Sequence, residues 1–411
     1  MSPVLKIAYR NLRRNGRRSL LTASLITVGV VFVLVYSALA QSFQAYTIAE
    51  ITDSMMGHVQ VHKKGYVASI DSLPLDKNLN EKQLATLIDR LKGDPLVHSY
   101  SERIKLSAMF SNFENTTNIR LNGINPKAEL ATLPLFTKRV TGNADFESGQ
   151  ILIPDLIAKG MNVQIGDAIV LVANNKQGSV NGINLVVAGI VEQATGPGGR
   201  DGYIHIDDAR KILRLKTAEA NEVVIALKNT KHLAQAAAGL EAFAEASLNP
   251  SGQPIYEVHP WTKLSPFYSI VRMMDLMNLS IQLILISIVL ISILNVMIMS
   301  VYERIREVGT IAAMGTPPSK IVALFLTEGF LLGLFGAALG TAFSAGLIGL
   351  LGQTGIAYAF GRSDNLVLYP ALGIAEIAVV GVIVVLISVL ASLIPALKAS
   401  RLDPVEALRQ N

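Results

Sequence analysis

Four stretches of this 411-residue chain are apolar enough to cross a bilayer, and they restrict its fold more than any other feature. A hydrocarbon core about 30 Å thick takes about 20 apolar residues of α-helix. The windows lie at 20–41, 276–301, 321–351 and 372–397. Charged residues make up 16% of the chain, compared with about 25% in soluble proteins. The sequence therefore predicts an α-helical membrane protein with four transmembrane helices.

The basic residues that flank these windows predict the orientation of the chain. Residues 1–19 contain six Lys or Arg and no acidic residue, 302–320 contain three, 398–411 contain three, and 352–371 contain a single one. Cytoplasmic loops of membrane proteins carry an excess of Lys and Arg. Both termini and the 302–320 segment are therefore predicted to be cytoplasmic. The 42–275 segment and the short 352–371 loop are predicted to lie outside.

The basic segment 1–19 is predicted to form an amphipathic helix on the cytoplasmic membrane surface, because Leu5, Ala8 and Leu12 fall on one helical face. The Ala-Leu-Ala motif at 38–40 would also fit a signal-peptidase site after a basic N-terminal region. Secretory signals, however, have apolar cores of about 7–15 residues, and the core here is about 18 residues long. This length favours a retained first span.

The 42–275 segment has the composition of a soluble domain and alternates strand-like with helix-like stretches. Asn80 before Glu81, for example, is typical of a helix start. Strand-like runs are interleaved with helices rather than arranged as a regular βαβ series, so the prediction is a large mixed α/β domain with two subdomains. Subdomain boundaries are expected near Leu121–Leu135 and near Leu215–Asn221.

The composition and motifs also exclude several functions. The absence of cysteine excludes disulfides and thiolate metal sites, and the six histidines are scattered without metal-ligand spacing. The glycine-rich segment ATGPGGRD (194–201) lacks the spacing of a phosphate-binding loop and is predicted to be a flexible loop. The net charge of +5 comes from basic residues placed by topology, so no nucleic acid partner is expected. No catalytic arrangement stands out, and the chain is predicted not to be an enzyme.

Four charged residues between the second and third windows are the first candidate functional group: Glu303, Arg304, Arg306 and Glu307. On one continuous helix, Glu303 would share a face with Arg306 and Glu307, which follow it by three and four residues. The pattern fits a solvated helix end at the membrane surface. It fits equally well a docking element for a cytosolic partner.

Small and polar residues inside the windows form the second candidate group. Gly329, Gly333, Gly336 and Gly340 in the third window form two pairs with a spacing of four residues, which lets helix backbones approach closely. A dimer contact and a tight contact within the chain both fit this pattern. Asn295 in the second window is expected to form an interhelical hydrogen bond.

Two acidic residues, Glu328 and Glu376, lie near the starts of the third and fourth windows. Interfacial placement is expected for both, because the cost of a charge is highest in the centre of the bilayer. Together with Asn295 they are too few to form an ion path, and paired broken helices are not evident. The sequence therefore argues against a proton- or sodium-driven transporter.

Four segments of the chain resemble the FtsX-like permeases of the MacB, LolC and LolE group of ABC transporters. The N-terminal elbow and first span of that family are similar to LKIAYRNLRRNGRRSLLTASLITVGV (5–30), and the start of its external domain is similar to GHVQVHKKGY (57–66). Its central signature is similar to NVMIMSVYERIREVGTIAAMGTPPSKIVALFLTEGFLLGLFGAALG (295–340), and its C-terminal signature to SLIPALKASRLDPVEALRQN (392–411). The order of one span, a large domain and three further spans also fits.

The resemblance implies that segment 302–320 is a coupling element that sits on a separate cytoplasmic ABC ATPase. Its contact residues would be Glu303, Arg304, Arg306, Glu307, Gly309 and Gly315. ATP and magnesium would bind to that partner, and this chain would hold no cofactor. The 42–275 segment would be a MacB-like periplasmic domain with two subdomains.

The resemblance also implies partners and a location. Two permeases, identical or paralogous, would pair around their second and third spans in the bacterial inner membrane. ATP-driven motion would pass to the periplasmic domain for release or export of a lipoprotein or lipid. Two alternatives stay open: a transmembrane regulator of a periplasmic hydrolase, and a permease for tripartite small-molecule efflux with a periplasmic adaptor.

Overall fold

Two units make up the chain in the computed structural model. The membrane unit comprises Met1–Tyr46 and Val271–Asn411, and the 47–270 domain comprises Thr47–Ile270. The structure describes residues 3–14, 16–192, 200–264, 268–360 and 363–401. Most of the glycine-rich segment predicted as a loop (193–199) and the end of the C-terminal signature (402–411) lie outside the described residues.

The described α-helices, in chain order, are α1 Pro3–Arg14, α2 Gly16–Ile51, α3 Glu81–Lys92, α4 Pro126–Thr132, α5 Asp155–Gly160, α6 Ile206–Ile212, α7 Leu233–Ala246, α8 Trp261–Leu264, α9 Tyr268–Glu303, α10 Ile305–Ala313, α11 Pro318–Thr354 and α12 Ile374–Ser400. A π-helical turn, Thr52–Met56, follows α2 directly.

The described strands are β1 Val59–Lys63, β2 Val97–Ser111, β3 Thr116–Ile124, β4 Val140–Gly142, β5 Gln150–Pro154, β6 Ala168–Asn174, β7 Val180–Val191, β8 Asp201–His205, β9 Glu222–Leu227, β10 Tyr256–Pro260, β11 Ile356–Phe360 and β12 Ser363–Leu368.

Helices α2, α9, α11 and α12 are each long and apolar enough to cross a membrane, which confirms the predicted class of membrane protein. Both α2 and α9 contain 36 residues and run beyond the apolar windows at 20–41 and 276–301. Residues 42–51 of α2 and 268–275 of α9, which form most of these extensions, contain neither Gly nor Pro. The helix therefore continues where the apolar composition ends, because only those two residue types strongly oppose a helix.

The first glycine pair of α11 packs against α12. A Cβ atom at Gly329 would lie 1.8 Å from Ser392 Oγ, and one at Gly333 would lie 2.6 Å from Ser388 Cβ. The Ser388 hydroxyl also donates a hydrogen bond of 2.7 Å to the carbonyl oxygen of Gly329. Only glycine permits this distance between the two backbones.

The second glycine pair of α11 packs against α2. A Cβ atom at Gly336 would lie 2.6 Å from Ile26 Cβ, and one at Gly340 would lie 2.6 Å from Val30 Cβ. Of the two contacts that the sequence leaves open, the contact within the chain is the one that forms. Since both pairs already face helices of the same chain, this stripe does not offer a surface to a second copy.

The Gly329→Val variant should lower the stability of the full-length protein in detergent by about 1–3 kcal/mol, because the larger side chain would overlap Ser392. Gly346→Val is the matched control, since no atom lies within 4 Å of a Cβ at Gly346 on the same helix. Thermal unfolding followed by size-exclusion chromatography compares the two variants. Equal stability of the two would contradict the packing described here.

Polar side chains also link α2 to α9. The Tyr36 hydroxyl donates a hydrogen bond of 2.9 Å to Asn278 Oδ1, and Gln282 Nε2 donates one of 3.0 Å to the Ser37 hydroxyl. Neither pair was predicted from the sequence. Interhelical hydrogen bonds of this kind contribute on average about 0.6 kcal/mol each in a membrane protein.

The interhelical hydrogen bond predicted for Asn295 is not formed in the described part of the chain, where this residue is exposed on α9. The buried positions of α9 in this region are Ile293, Met297 and Val301, which follow one another at a spacing of four residues. Asn295 falls between them and therefore points away from the buried face.

The 47–270 domain is built on one ten-stranded sheet with the order β10-β1-β9-β2-β3-β8-β5-β7-β4, and β6 pairs with β2 and β7. Three hydrophobic cores lie within it: one containing Phe110 and Ile204, one containing Leu87 and Val223, and a smaller one containing Phe136 and Val224. The two larger cores would belong to the two predicted subdomains.

The chain crosses between the two cores inside the 15-residue strand β2. Its residues Val97–Arg103 pair with β9, and its residues Arg103–Ser111 pair with β3. The first crossing therefore precedes the expected boundary at Leu121–Leu135, because a crossing within a continuous strand leaves no loop composition to detect. The return crossing falls between Leu215 and Ala220, which lie on the two different cores.

The loop predicted at 352–371 contains an antiparallel β-hairpin formed by β11 and β12. The Tyr358 ring of β11 makes edge contacts with Phe43 at 5.9 Å and Tyr46 at 6.3 Å between ring centroids. This hairpin was not predicted, since the glycine and polar residues around it are typical of a loop.

Candidate functional site

The short helix α10 between the second and third spans, here called the inter-span helix, is the centre of the candidate site. Helix α9 ends at Glu303, Arg304 is non-helical with φ −113° and ψ 17°, and α10 begins at Ile305. The sequence predicted one continuous helix with Glu303, Arg306 and Glu307 on a shared face. The break at Arg304 means that Glu303 lies on a different helix from the other two.

The inter-span helix is amphipathic. Its residues Ile305, Val308 and Gly309 are buried, whereas Arg306 and Thr310 on the opposite side are exposed. The resemblance implied that Gly309 contacts the partner ATPase. Gly309 instead belongs to the packed face of the helix, which a partner could not reach. Its lack of a side chain is compatible with this buried position.

A Schellman motif ends the inter-span helix. The backbone N–H of Gly315 donates to the carbonyl of Ala312 at 2.9 Å, and that of Thr316 donates to the carbonyl of Ile311 at 3.3 Å. Gly315 has a φ of +86°, in the left-handed region that favours glycine. This turn leaves the side chain of Met314 74% exposed. Met314 could not be recognised from the sequence, because its exposure depends on the turn.

A buried ion pair joins the start of the inter-span helix to the third span. Arg304 Nη1 donates hydrogen bonds of 3.0 Å to both carboxylate oxygens of Glu328, and its Nε donates one of 3.1 Å to Glu307. The side chains of Arg304 and Glu328 are 11% and 4% exposed. Arg304, predicted as a contact residue for a partner, therefore points inward. Glu328, expected at the interface, is a buried partner of that arginine.

The N-terminal helix α1 is attached to the same cluster. Asn11 Nδ2 donates a hydrogen bond of 2.9 Å to Glu328 Oε1, and Arg14 forms an ion pair with Glu307. Partial burial raises the pKa of Glu307, but hydrogen bonds from Arg304 and Arg14 outweigh it and hold the pKa below its usual value. The cluster, here called the Arg304 cluster, thus connects α1, α10 and α11.

The Glu328→Gln variant should lose about 3 kcal/mol of stability, because Arg304 would keep its charge without a buried counter-ion. The double variant Arg304→Met/Glu328→Leu should recover much of this loss, since it removes both charges together. Thermal unfolding of the full-length protein measures both, with Glu376→Gln as the control for an acid near a helix start. A double variant no more stable than the single one would contradict a direct ion pair.

A second buried charge network lies in the 47–270 domain. Arg103 on β2 donates hydrogen bonds of 2.9 Å to Glu129 on α4 and to Glu222 on β9, and Lys105 forms an ion pair with Glu222. Burial raises the pKa of Glu222, but Lys105, His62 and Arg103 outweigh it and hold the pKa well below the usual range. The network lies where the chain crosses between the two cores.

Two buried arginines bind the π-helical turn that follows the first span. Arg103 Nη2 donates a hydrogen bond of 2.8 Å to the Met55 carbonyl, and Arg139 Nη1 donates one of 3.2 Å to the Ser54 carbonyl. Arg139 also donates to the Glu192 carbonyl at 2.9 Å. The turn Thr52–Met56 is therefore held by both parts of the domain. No local pattern connects these positions, so the sequence could not reveal the contact.

A buried histidine beside this turn predicts acid sensitivity. The backbone N–H of Leu227 donates to His58 Nδ1 at 3.2 Å, so a charged ring would lose this acceptor. Burial lowers the pKa of His58 below its usual 6.5, and Asp53 offsets only part of that effect. Below pH 6.5 the unfolded chain therefore binds a proton that the folded domain does not.

Stability of the 47–270 domain should accordingly fall as the pH drops from about 6.5 to 5, with little change between pH 7 and 8. The His58→Gln variant should show a smaller slope, whereas exposed His98→Gln should not. Fluorescence of Trp261, the single tryptophan and a buried one, reports thermal unfolding in the full-length protein. An unchanged slope in His58→Gln would show that another group is responsible.

No group of three or more His, Cys, Asp or Glu side chains that could hold a metal ion occurs within the described residues. The described site consists of ion pairs and helix contacts. The inter-span helix is fixed on its inner side by the Arg304 cluster and exposes Met314 at its C-terminal end.

One span before a large α/β domain, three spans after it and a clamped helix between the second and third spans define a multi-pass permease subunit. Residues 19–243 match the family model of the MacB-like periplasmic core domain, and residues 279–404 match that of the FtsX-like permease C-terminal region. The chain belongs to the family of ABC transporter permeases that combine these two regions.

Two sequence relatives agree with this assignment. The chain is 25% identical to the "uncharacterized ABC transporter permease YknZ" of Bacillus subtilis, over 98% of both chains. It is 23% identical to the "lipoprotein-releasing system transmembrane protein LolC" of Xylella fastidiosa, over 100% of this chain and 98% of the relative. The periplasmic region of MacB from Actinobacillus actinomycetemcomitans aligns with a TM-score of 0.35 and 9% identity, covering 53% of this chain and 92% of that structure. The family models and sequence relatives confirm the resemblance found in the sequence.

Proposed function

We propose that this chain is the membrane subunit that receives ATP-driven motion from a separate ABC ATPase and transmits it to the 47–270 domain. The observation that carries the proposal is the inter-span helix, which is fixed by the Arg304 cluster and exposes Met314 at its tip. Because the N-terminal end of the helix is fixed, a force applied at Met314 would move the spans rather than bend the helix. ATP and magnesium would bind to the partner, and this chain would need no cofactor of its own.

The proposed orientation places both termini and the inter-span helix in the cytoplasm and the 47–270 domain in the periplasm, in a bacterial inner membrane. The basic residues of 1–19 and 302–320 support it, since Lys and Arg are retained on the cytoplasmic side. This orientation places Met314 on the cytoplasmic side of the membrane, where ATP is available to an ATPase.

The proposed path of motion runs through α2 and α9. Helix α10 follows the break at Arg304 at the end of α9, and α9 is hydrogen-bonded to α2 through Asn278 and Gln282. Helix α2 in turn leads into the π-helical turn that Arg103 and Arg139 hold. Each step is a helix or a polar contact that is at least partly buried, which supports transmission of force rather than a path for solutes.

We propose that the output of this motion is release or export of a lipoprotein or lipid by a pair of permeases, formed by two copies or by a paralogue. The relative named a lipoprotein-releasing transmembrane protein, which aligns over the whole chain, supports this choice. Two alternative functions would use the same ATP-driven motion: a regulator of a periplasmic hydrolase, and an efflux permease with a periplasmic adaptor. Acyl-protein bound to the purified complex supports lipoprotein or lipid release. Activation of a periplasmic hydrolase supports the regulator, and drug susceptibility of a deletion strain supports the efflux permease.

The Met314→Asp variant should weaken binding of the partner ATPase at least tenfold, a change of about 1.4 kcal/mol, because a charge replaces an exposed apolar anchor. Exposed Met109→Asp on the 47–270 domain is the matched control, with 48% exposure of the native side chain. Co-purification of each variant with a Walker-motif ABC ATPase from the same organism provides the measurement. Undiminished binding by Met314→Asp, with equal ATP turnover, would count against the docking role.

A further inference from the structure

An open groove with a volume of about 980 Å³ lies between the first turns of α2 and the last turns of α9, beside the inter-span helix. Ligand pockets in proteins have volumes of about 300–1,000 Å³, so the groove is large. Neither the contact with an ATPase nor the packing of the four spans accounts for it.

Two arginines lie at one end of this groove, Arg14 and Arg17. Arg17 is exposed, and no carboxylate in the described part of the chain pairs with it. Arg14 is 60% exposed and forms one ion pair with Glu307, but a guanidinium has five N–H donors and can bind a second anion. Glu303 is the one acid among the described lining residues, so this end carries more positive than negative charge.

The walls below the arginines are apolar and exposed. Leu21 is 66%, Leu25 is 51% and Met299 is 56% exposed. With a rise of 1.5 Å per residue, Leu21 and Leu25 lie about 6 and 12 Å along the helix from Arg17. The groove thus combines a cationic end at the membrane surface with an apolar channel that continues toward the bilayer centre.

We propose that this groove binds an anionic phospholipid of the adjacent leaflet, with the phosphate at Arg14 and Arg17 and an acyl chain along Leu21, Leu25 and Met299. Charge complementarity favours this occupant, because basic pockets between transmembrane helices bind anionic head groups. A zwitterionic lipid such as phosphatidylcholine also carries a phosphate, but its choline cation cancels that charge, so the two guanidinium groups attract an anionic head group more strongly.

The position of Arg14 links the lipid to the inter-span helix. Its guanidinium contacts Glu307 on α10 and faces the groove at the same time. A bound head group would therefore fix α1 beside α10 and stabilise the Arg304 cluster. The proposal rests on the membrane setting of the proposed function, but it needs no ATPase.

The test uses the full-length protein reconstituted into vesicles with spin-labelled phosphatidylglycerol or phosphatidylcholine. Electron paramagnetic resonance then measures the fraction of each lipid immobilised by the protein. Each arginine near an anionic lipid contributes about 1 kcal/mol, a factor of about five. Arg17→Gln should therefore reduce the preference for phosphatidylglycerol about fivefold, and Arg17→Lys should retain most of it.

The matched control is Arg10→Gln, which removes the same charge from exposed α1 at a residue that does not line the groove. Equal loss in Arg10→Gln and Arg17→Gln would mean that the net charge of the N-terminal region sets the preference, and would overturn the site. No preference in the unsubstituted protein would overturn it as well.

A second measurement asks whether another copy of the chain fills the groove instead. The chain has no cysteine, so Asn295→Cys places a single thiol at the groove. Efficient disulfide formation between two copies in vesicles would show that protein covers this surface and would overturn lipid binding. Absence of a disulfide between copies at this position, together with the Arg17-dependent preference, supports the lipid. Both measurements omit the ATPase, so a failure of ATPase docking would leave them unaffected.

Discussion

The buried ion pair between Arg304 and Glu328 is the interaction on which the geometry of the inter-span helix depends. Two charges withdrawn from water at a membrane edge are stable only when they satisfy each other, and Arg304 does so with both oxygens of Glu328. To reach that partner, the chain leaves helical geometry at Arg304 and starts a new helix at Ile305. The direction of the inter-span helix follows from this contact, and the turn at Gly315 then exposes Met314 at its end.

Features set by local sequence could be predicted. Apolar length identified the four spans, and Asn80 capped α3 as its residue type indicates, with Gln83 completing a capping box. The glycines of the third span signalled a close helix contact, although the pattern alone could not decide which helix provides the other side. Residue type and spacing carry this information, because they act within one or two turns of helix.

Contacts between distant parts of the chain could not be predicted. Asn11 and Glu328 are 317 residues apart, and Arg139 and Ser54 are 85 apart, so no periodic pattern connects either pair. The charges at 303–307 were recognised as functional candidates, but a single sequence does not reveal which of them turns inward. Burial decided this, since a charge with a buried partner and a charge in solvent look identical in the sequence.

One structural feature limits how the 47–270 domain can move. Strand β2 contains fifteen residues and contributes side chains to both larger cores; its length is about 50 Å at about 3.3 Å per residue. A bend at its middle would break ladder hydrogen bonds to β9 or β3 and disturb the Arg103 network. The two subdomains are therefore not expected to open and close by a hinge motion about a flexible linker. Because β2 belongs to one continuous sheet, its two ends move together, and a displacement of one subdomain carries the other with it.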